Sequence, residues 1–135
     1  MKIYQQEYDQ GLFGHLVETF PNGIGEAFDA LMKRLPAGEK RSYYGLSKMD
    51  DKGGILYWVA AEEKFAGEGE KYGYERFTLQ KGDYLSELVS DWKSKLSCIK
   101  DVFHELMQDP AADTTKLCIE WYYAEDEMLC MIQKK

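Results

Sequence analysis

The order strand, helix, strand, strand occurs twice along the 135 residues. That repetition limits the folds open to the chain more than any other feature. The first unit opens with an extended stretch, Lys2–Tyr8 or Leu12–Phe20, rich in Tyr, Phe and Val and interrupted by Gly11 and Gly14. Pro21-Asn22-Gly23 breaks it. Ile24, Phe28, Leu31, Met32 and Leu35 then recur at helical spacing and mark one apolar face. Pro36 and Gly38 are expected to stop that helix. Arg41–Met49 and Gly54–Glu62 read as strands of a hairpin turning at Asp50-Asp51-Lys52-Gly53.

The second unit follows the same order. Tyr74–Leu79 and Asp83–Leu88 are extended and hinged at Lys81-Gly82. Asp91 is placed to cap a helix whose apolar face is Trp92, Leu96, Ile99, Val102, Phe103, Leu106 and Met107. Asp109-Pro110 ends it. Lys116–Tyr123 and Glu127–Gln133 form a last hairpin around Ala124-Glu125-Asp126. One such unit has too little apolar area to be stable alone. The expectation is therefore an α+β fold of one domain over residues 1–135, with repeat units of about 1–62 and 74–135. Their strands join in an antiparallel sheet carrying two helices on one face and a ligand cleft. The connecting Glu63–Gly73, with three glycines and three acidic residues, reads as a flexible loop. Its GEG is no phosphate loop, because no helix is expected after it and its charge would repel phosphate.

Composition removes several classes of function. The net charge is -7, with 17 basic residues scattered among 24 acidic ones. A nucleic-acid binder needs a basic face, so direct nucleic-acid binding is not expected. No run of 18 apolar residues and no apolar leader occur, so the chain is read as cytoplasmic, with no membrane partner. Cys98, Cys118 and Cys130 are odd in number and widely spaced, which argues against disulfides and against a zinc site. His104 and His15 have no metal spacing and no visible partner, so both read as structural. No metal and no cofactor are expected. No GxSxG, HExxH, Walker or dinucleotide motif is present.

What chemistry remains lies on strands. In Lys116–Tyr123 side chains alternate faces. Leu117, Ile119, Trp121 and Tyr123 suit packing on the helices, which leaves Cys118, Glu120 and Tyr122 on the other face. In Gly54–Glu62, the set Ile55, Tyr57, Val59, Ala61 is the more uniformly apolar and is assigned to the helices. Trp58 and Glu62 then share the face of Glu120. Tyr44 comes from Arg41–Met49. The candidate ligand-binding residues are Glu120, Tyr122, Trp58, Tyr44, Glu62 and Cys118. Three tryptophans, ten tyrosines and six phenylalanines supply an aromatic wall. Such a wall with a carboxylate in it suits a lipophilic cation.

Tyr43-Tyr44-Gly45-Leu46-Ser47, Gly53-Gly54-Ile55-Leu56-Tyr57-Trp58, Phe77-Thr78-Leu79-Gln80-Lys81-Gly82-Asp83-Tyr84 and Cys118-Ile119-Glu120-Trp121-Tyr122 follow one another in an order that resembles the GyrI-like family. This is the effector-binding domain of bacterial multidrug-responsive transcription activators, also found as a stand-alone protein. The resemblance covers essentially the whole chain. It implies a duplicated fold, a cleft between the units, and a central pocket Glu, here Glu120, with Tyr122 two residues on. Leu79-Gln80-Lys81-Gly82 departs from the family's Pro-Ala-Gly. No DNA-binding domain precedes the fold in this chain, so a transcriptional role would need a separate protein partner.

Three readings follow. The leading one is a module that binds or sequesters a small lipophilic, cationic molecule. The second is a hydrolase of reactive lipophilic electrophiles, with Glu120 and Glu62 as catalytic carboxylates. The third is a protein-interaction module of gyrase-inhibitor type.

Overall fold

The computed structural model describes residues 1–36 and 40–135. Eight strands form one antiparallel sheet: β1 (Lys2–Gln6), β2 (Gln10–Leu16), β3 (Tyr43–Met49), β4 (Ile55–Glu62), β5 (Glu75–Leu79), β6 (Gly82–Ser90), β7 (Cys118–Tyr122) and β8 (Glu127–Gln133). Three helices accompany it: α1 (Ile24–Arg34), α2 (Glu68–Lys71) and α3 (Leu96–Gln108). No described helix is long and apolar enough to cross a membrane.

The helices form where their apolar stripes fall. In α1, Leu31 and the following Leu35 are buried, with Ile24, Ala27 and Phe28 half-buried beside them. Met32, expected on this face, is exposed, because it sits one step past the stripe. Leu35 is extended, as the ring of the following Pro36 requires. Gly38 lies outside the described residues, as does the side chain of Leu96. Asp91 does not cap α3. It adopts a left-handed conformation ahead of a single 3-10 turn over Trp92–Ser94, and its carboxylate accepts the Ser94 hydroxyl at 2.6 Å.

The strand order is β1-β6-β8-β7-β3-β4-β2-β5. It reads the same from both ends once each of β1–β4 is exchanged for its counterpart among β5–β8. Short links join β1 to β2 and β5 to β6, although these strands lie toward opposite ends of the order. Connections this short span only about 10–14 Å. The sheet must therefore curl until its two ends approach, and it forms a half-barrel.

Curling gives the sheet two apolar faces. The concave one closes on itself around Leu12, Tyr44, Leu46, Trp58, Tyr84 and Met131, with no helix involved. On the convex one, α1 covers β2 and β4 while α3 covers β6 and β8. The central strands β7 and β3 run between the two helices.

The link Glu63–Gly73, expected as a flexible loop, is instead docked. The Arg41 guanidinium donates to both carboxylate oxygens of Glu68, at 3.1 and 3.0 Å, and both side chains are 1% exposed. The backbone N–H of Lys64 donates to the same carboxylate at 2.8 Å. Gly69 presses so closely on Phe13 that a Cβ at this glycine would lie 2.4 Å from that of Phe13.

Leu31→Ala and Leu106→Ala should each cost about 2–5 kcal/mol in urea unfolding, because both side chains are fully enclosed. Met32→Ala should change stability by less than about 0.5 kcal/mol. Glu68→Ala, which removes a buried bidentate partner of Arg41 and the acceptor of the Lys64 backbone N–H, should cost about 3–5 kcal/mol. A Glu68→Ala midpoint equal to that of the native chain would show that the link is not anchored this way.

Candidate functional site

The register fixes which side chains share a face. Gly45 of β3 lies opposite Glu120 of β7 and opposite Val59 of β4. Its neighbours Tyr44 and Leu46 lie opposite Trp121 and Ala60, and opposite Ile119 and Trp58, respectively. Opposed residues point to the same side. Val59, with Tyr57 and Ala61, packs under α1, and Cys118 and Tyr122 pack beside α3. Glu120 therefore lies on the helix-bearing face, on the floor of the groove between α1 and α3.

This corrects the expected face assignment. Cys118, Glu120 and Tyr122 face the helices, whereas Leu117, Ile119 and Trp121 face the concave interior. Apolar character misled because both faces of a curled sheet bury apolar side chains. Trp121 meets Tyr4 at 5.6 Å and stacks on Tyr44 at 6.3 Å inside the curl. Of the six candidate residues, the structure brings together Glu120, Tyr122 and Cys118. It sets Trp58, Tyr44 and Glu62 apart from them on the opposite face. Trp58 is 6% exposed and donates its indole N–H to Glu75 at 3.1 Å. Glu62 accepts the Ser42 backbone N–H and meets Lys64 at 3.4 Å.

Tyr57 is the partner that sequence reading passed over. Its hydroxyl donates to Glu120 Oε1 at 2.6 Å, and that of Tyr122 donates to the same oxygen at 2.8 Å. The two hydroxyls are 3.2 Å apart. Among the described residues no protein donor meets the other carboxylate oxygen, and no cationic side chain pairs with Glu120. Aromatic rings line the surroundings. Phe20 stacks on Tyr57 at 5.1 Å, Phe28 of α1 meets Tyr122 edge-on at 5.4 Å, and Trp92 meets it at 5.1 Å from the other side. Phe20, Phe28 and Trp92 are half-buried and keep part of their surface exposed. The Trp92 indole N–H is buried and finds no hydrogen-bond partner among the described residues.

The electrostatics follow from this enclosure. Burial raises the Glu120 carboxyl above the usual carboxylate range, and the two phenol donors only partly oppose it. Burial, then the neighbouring carboxylate, pushes the Tyr57 and Tyr122 hydroxyls well above the ordinary phenol value. The same two causes raise the Cys118 thiol to about 11, which makes it a packing group rather than a nucleophile. Its sulfur lies 3.9 Å from that of Met107. A carboxylate among aromatic rings, with one oxygen held by two phenols, can attract a positive charge more strongly than a carboxylate in water can.

A carboxyl whose folded value is raised binds a proton more readily in the folded state. Its contribution to stability is present below the unfolded value and is lost as pH rises through the folded one. Glu120→Gln should remove that slope. The variant should gain on the native chain progressively from about pH 4 upward. Unfolding midpoints with the same pH dependence in both chains would place Glu120 in ordinary water.

No family model matches the chain, and no curated protein does. Solved structures do share its fold. An integron cassette protein from the mobile metagenome of Vibrio cholerae, VCH_CASS2, superposes with a TM-score of 0.68 at 14% identity, over 99% of this chain and 95% of that one. SAV2435 bound to tetraphenylphosphonium gives 0.68 at 16% identity, over 99% and 93%. A candidate bacterial transcription regulation protein from Staphylococcus aureus MU50 gives 0.65 at 15% identity, over 99% and 97%. At these identities the likeness is one of fold, and that fold includes a protein that holds a lipophilic cation.

Proposed function

We propose that this protein binds small lipophilic cations between α1 and α3, with Glu120 as the counter-charge, in the manner of a GyrI-like effector-binding domain. The observation that carries the reading is the Glu120 carboxylate, held by Tyr57 and Tyr122 beside the rings of Phe28 and Trp92 and paired with no cationic side chain among the described residues. The cation held by a protein of the same fold supports it further.

The magnitudes are sufficient. A cation over an aromatic face gains about 0.5–2 kcal/mol. A unit charge about 4 Å from a carboxylate gains up to about 4 kcal/mol at a near-surface dielectric. Burying a ligand's rings adds about 25 cal/mol per Å². After the cost of association, these terms reach the roughly -8 kcal/mol of micromolar binding. None of them demands strict hydrogen-bond geometry, so selectivity should be broad. Binding or sequestration needs nothing more.

Tetraphenylphosphonium titrated into the protein should quench tryptophan emission with a micromolar midpoint. Trp92→Phe should remove most of that quench, whereas Trp58→Phe, in the concave interior, should leave it. Glu120→Gln should weaken the cation by about tenfold or more while leaving a neutral aryl ligand unchanged. Equal binding of cationic and neutral ligands by the native chain would remove the carboxylate from the site. No binding of either would end the proposal.

A further inference from the structure

Glu120 and Tyr57 do not sit on neighbouring strands. Glu120 belongs to β7 and Tyr57 to β4, and β3 runs between them. Their 2.6 Å hydrogen bond must therefore pass over β3, and the residue beneath it is Gly45, opposed to Glu120. A Cβ built on Gly45 would lie 2.1 Å from the Tyr57 hydroxyl oxygen, 2.3 Å from Glu120 Oε1 and 2.8 Å from Tyr57 Cζ. All three separations are impossible for real atoms. Gly45 is not among the glycines with positive φ, so its backbone would accept any residue. What the position requires is empty space.

We propose that Gly45 is the positioning residue of this site: its missing side chain leaves the space through which the Glu120 carboxylate crosses β3 to reach the Tyr57 hydroxyl. The inference rests on the cation-binding reading for its functional consequence, though not for its geometry. The crossing saturates Oε1 with two phenols and leaves Oε2 as the atom offered to a ligand. It also explains a glycine at the centre of a sheet, where glycine is otherwise unfavourable. Any side chain here would drive the carboxylate away from Tyr57 and leave it unanchored. Gly45 thus governs the preference for cations over neutral ligands without touching the ligand.

The test is Gly45→Ala in the full chain, beside Tyr57→Phe. Two readouts are taken: the affinity ratio of tetraphenylphosphonium to neutral triphenylphosphine oxide, and the carboxyl titration of Glu120 by carbon NMR. Gly45→Ala should lower the ratio by about tenfold or more and move the Glu120 midpoint away from its native value. Tyr57→Phe should lower the ratio too, and should raise the midpoint, because it removes one donor to the charged form while keeping the carboxylate enclosed. A role in strand packing alone would move neither readout, since alanine suits a strand better than glycine. A Gly45→Ala chain that keeps both the native ratio and the native midpoint overturns the proposal. Should Gly45→Ala fail to fold, the double variant Gly45→Ala/Tyr57→Leu, which lacks both clashing Tyr57 atoms and leaves the Glu120 carboxylate free to turn away, should fold again; a double variant that stays unfolded also overturns it. If the native chain shows no cation preference, the functional reading falls, and the two NMR midpoints still decide the role of Gly45.

Discussion

The pairing of β3 with β7 is the constraint on which the remaining structure depends. These strands lie at the centre of an order that is symmetric about them. They join the two halves and set the spacing of the helices. Because α1 lies mainly over β2 and β4 while α3 lies mainly over β6 and β8, the central pair runs between the helices and is reached only by side chains such as Phe28 of α1 and Met107 of α3. The register of that pair then decides what lies on the groove floor. A slip by one residue would turn Glu120 into the concave core and bring Ile119 or Trp121 into the groove. The cross-links that hold the halves at their outer edges, β1 to β6 and β2 to β5, stiffen the same arrangement by pairing each half's first strand with the other half.

Two carboxylates, Glu68 buried and Glu120 half-buried, show how differently the fold treats similar groups. Glu68 is met by a bidentate guanidinium and a backbone N–H, so its charge is fully answered within the protein. It fastens the link between the halves. Among the described residues Glu120 is met by neutral phenols on one oxygen and by no cationic side chain, so its charge is stabilised only in part. Burying a charge without a partner opposes stability. A structural role is well served by the first arrangement and poorly by the second. That contrast, more than the aromatic content, separates the groove from the rest of the core.

Much of the architecture was legible in the sequence, for identifiable reasons. Helical spacing of Leu31, Leu35 and Leu106, and breaks at Pro21, Pro36 and Pro110, reflect local rules that tertiary context did not override. Glu127–Gln133 matches β8 end to end, because a turn and the chain's last residues bound it. The groove was only partly legible. Alternation along β7 correctly grouped Cys118, Glu120 and Tyr122, but it could not say which way the group faced. That depends on the curl, which follows from the short links between distant strands and thus from long-range pairing. Trp58 and Tyr44 were drawn into the candidate site on the assumption that only one face is apolar. Tyr57 was lost for the same reason, although its alternation with Val59 and Ala61 was read correctly. The link was missed because Glu68 looked like one of several solvent charges in an acidic, glycine-rich segment. Nothing local marks it as the partner of Arg41.

A crystal structure of the protein with tetraphenylphosphonium would test the central claim most directly. The account expects the phosphorus over the groove floor, close to the free oxygen of Glu120, with its rings against Phe28, Tyr122 and Trp92 and within about 6 Å of their centroids. A phosphonium seated instead in the concave interior beside Trp58 and Tyr44, or in contact with the helix surfaces but away from Glu120, would contradict it.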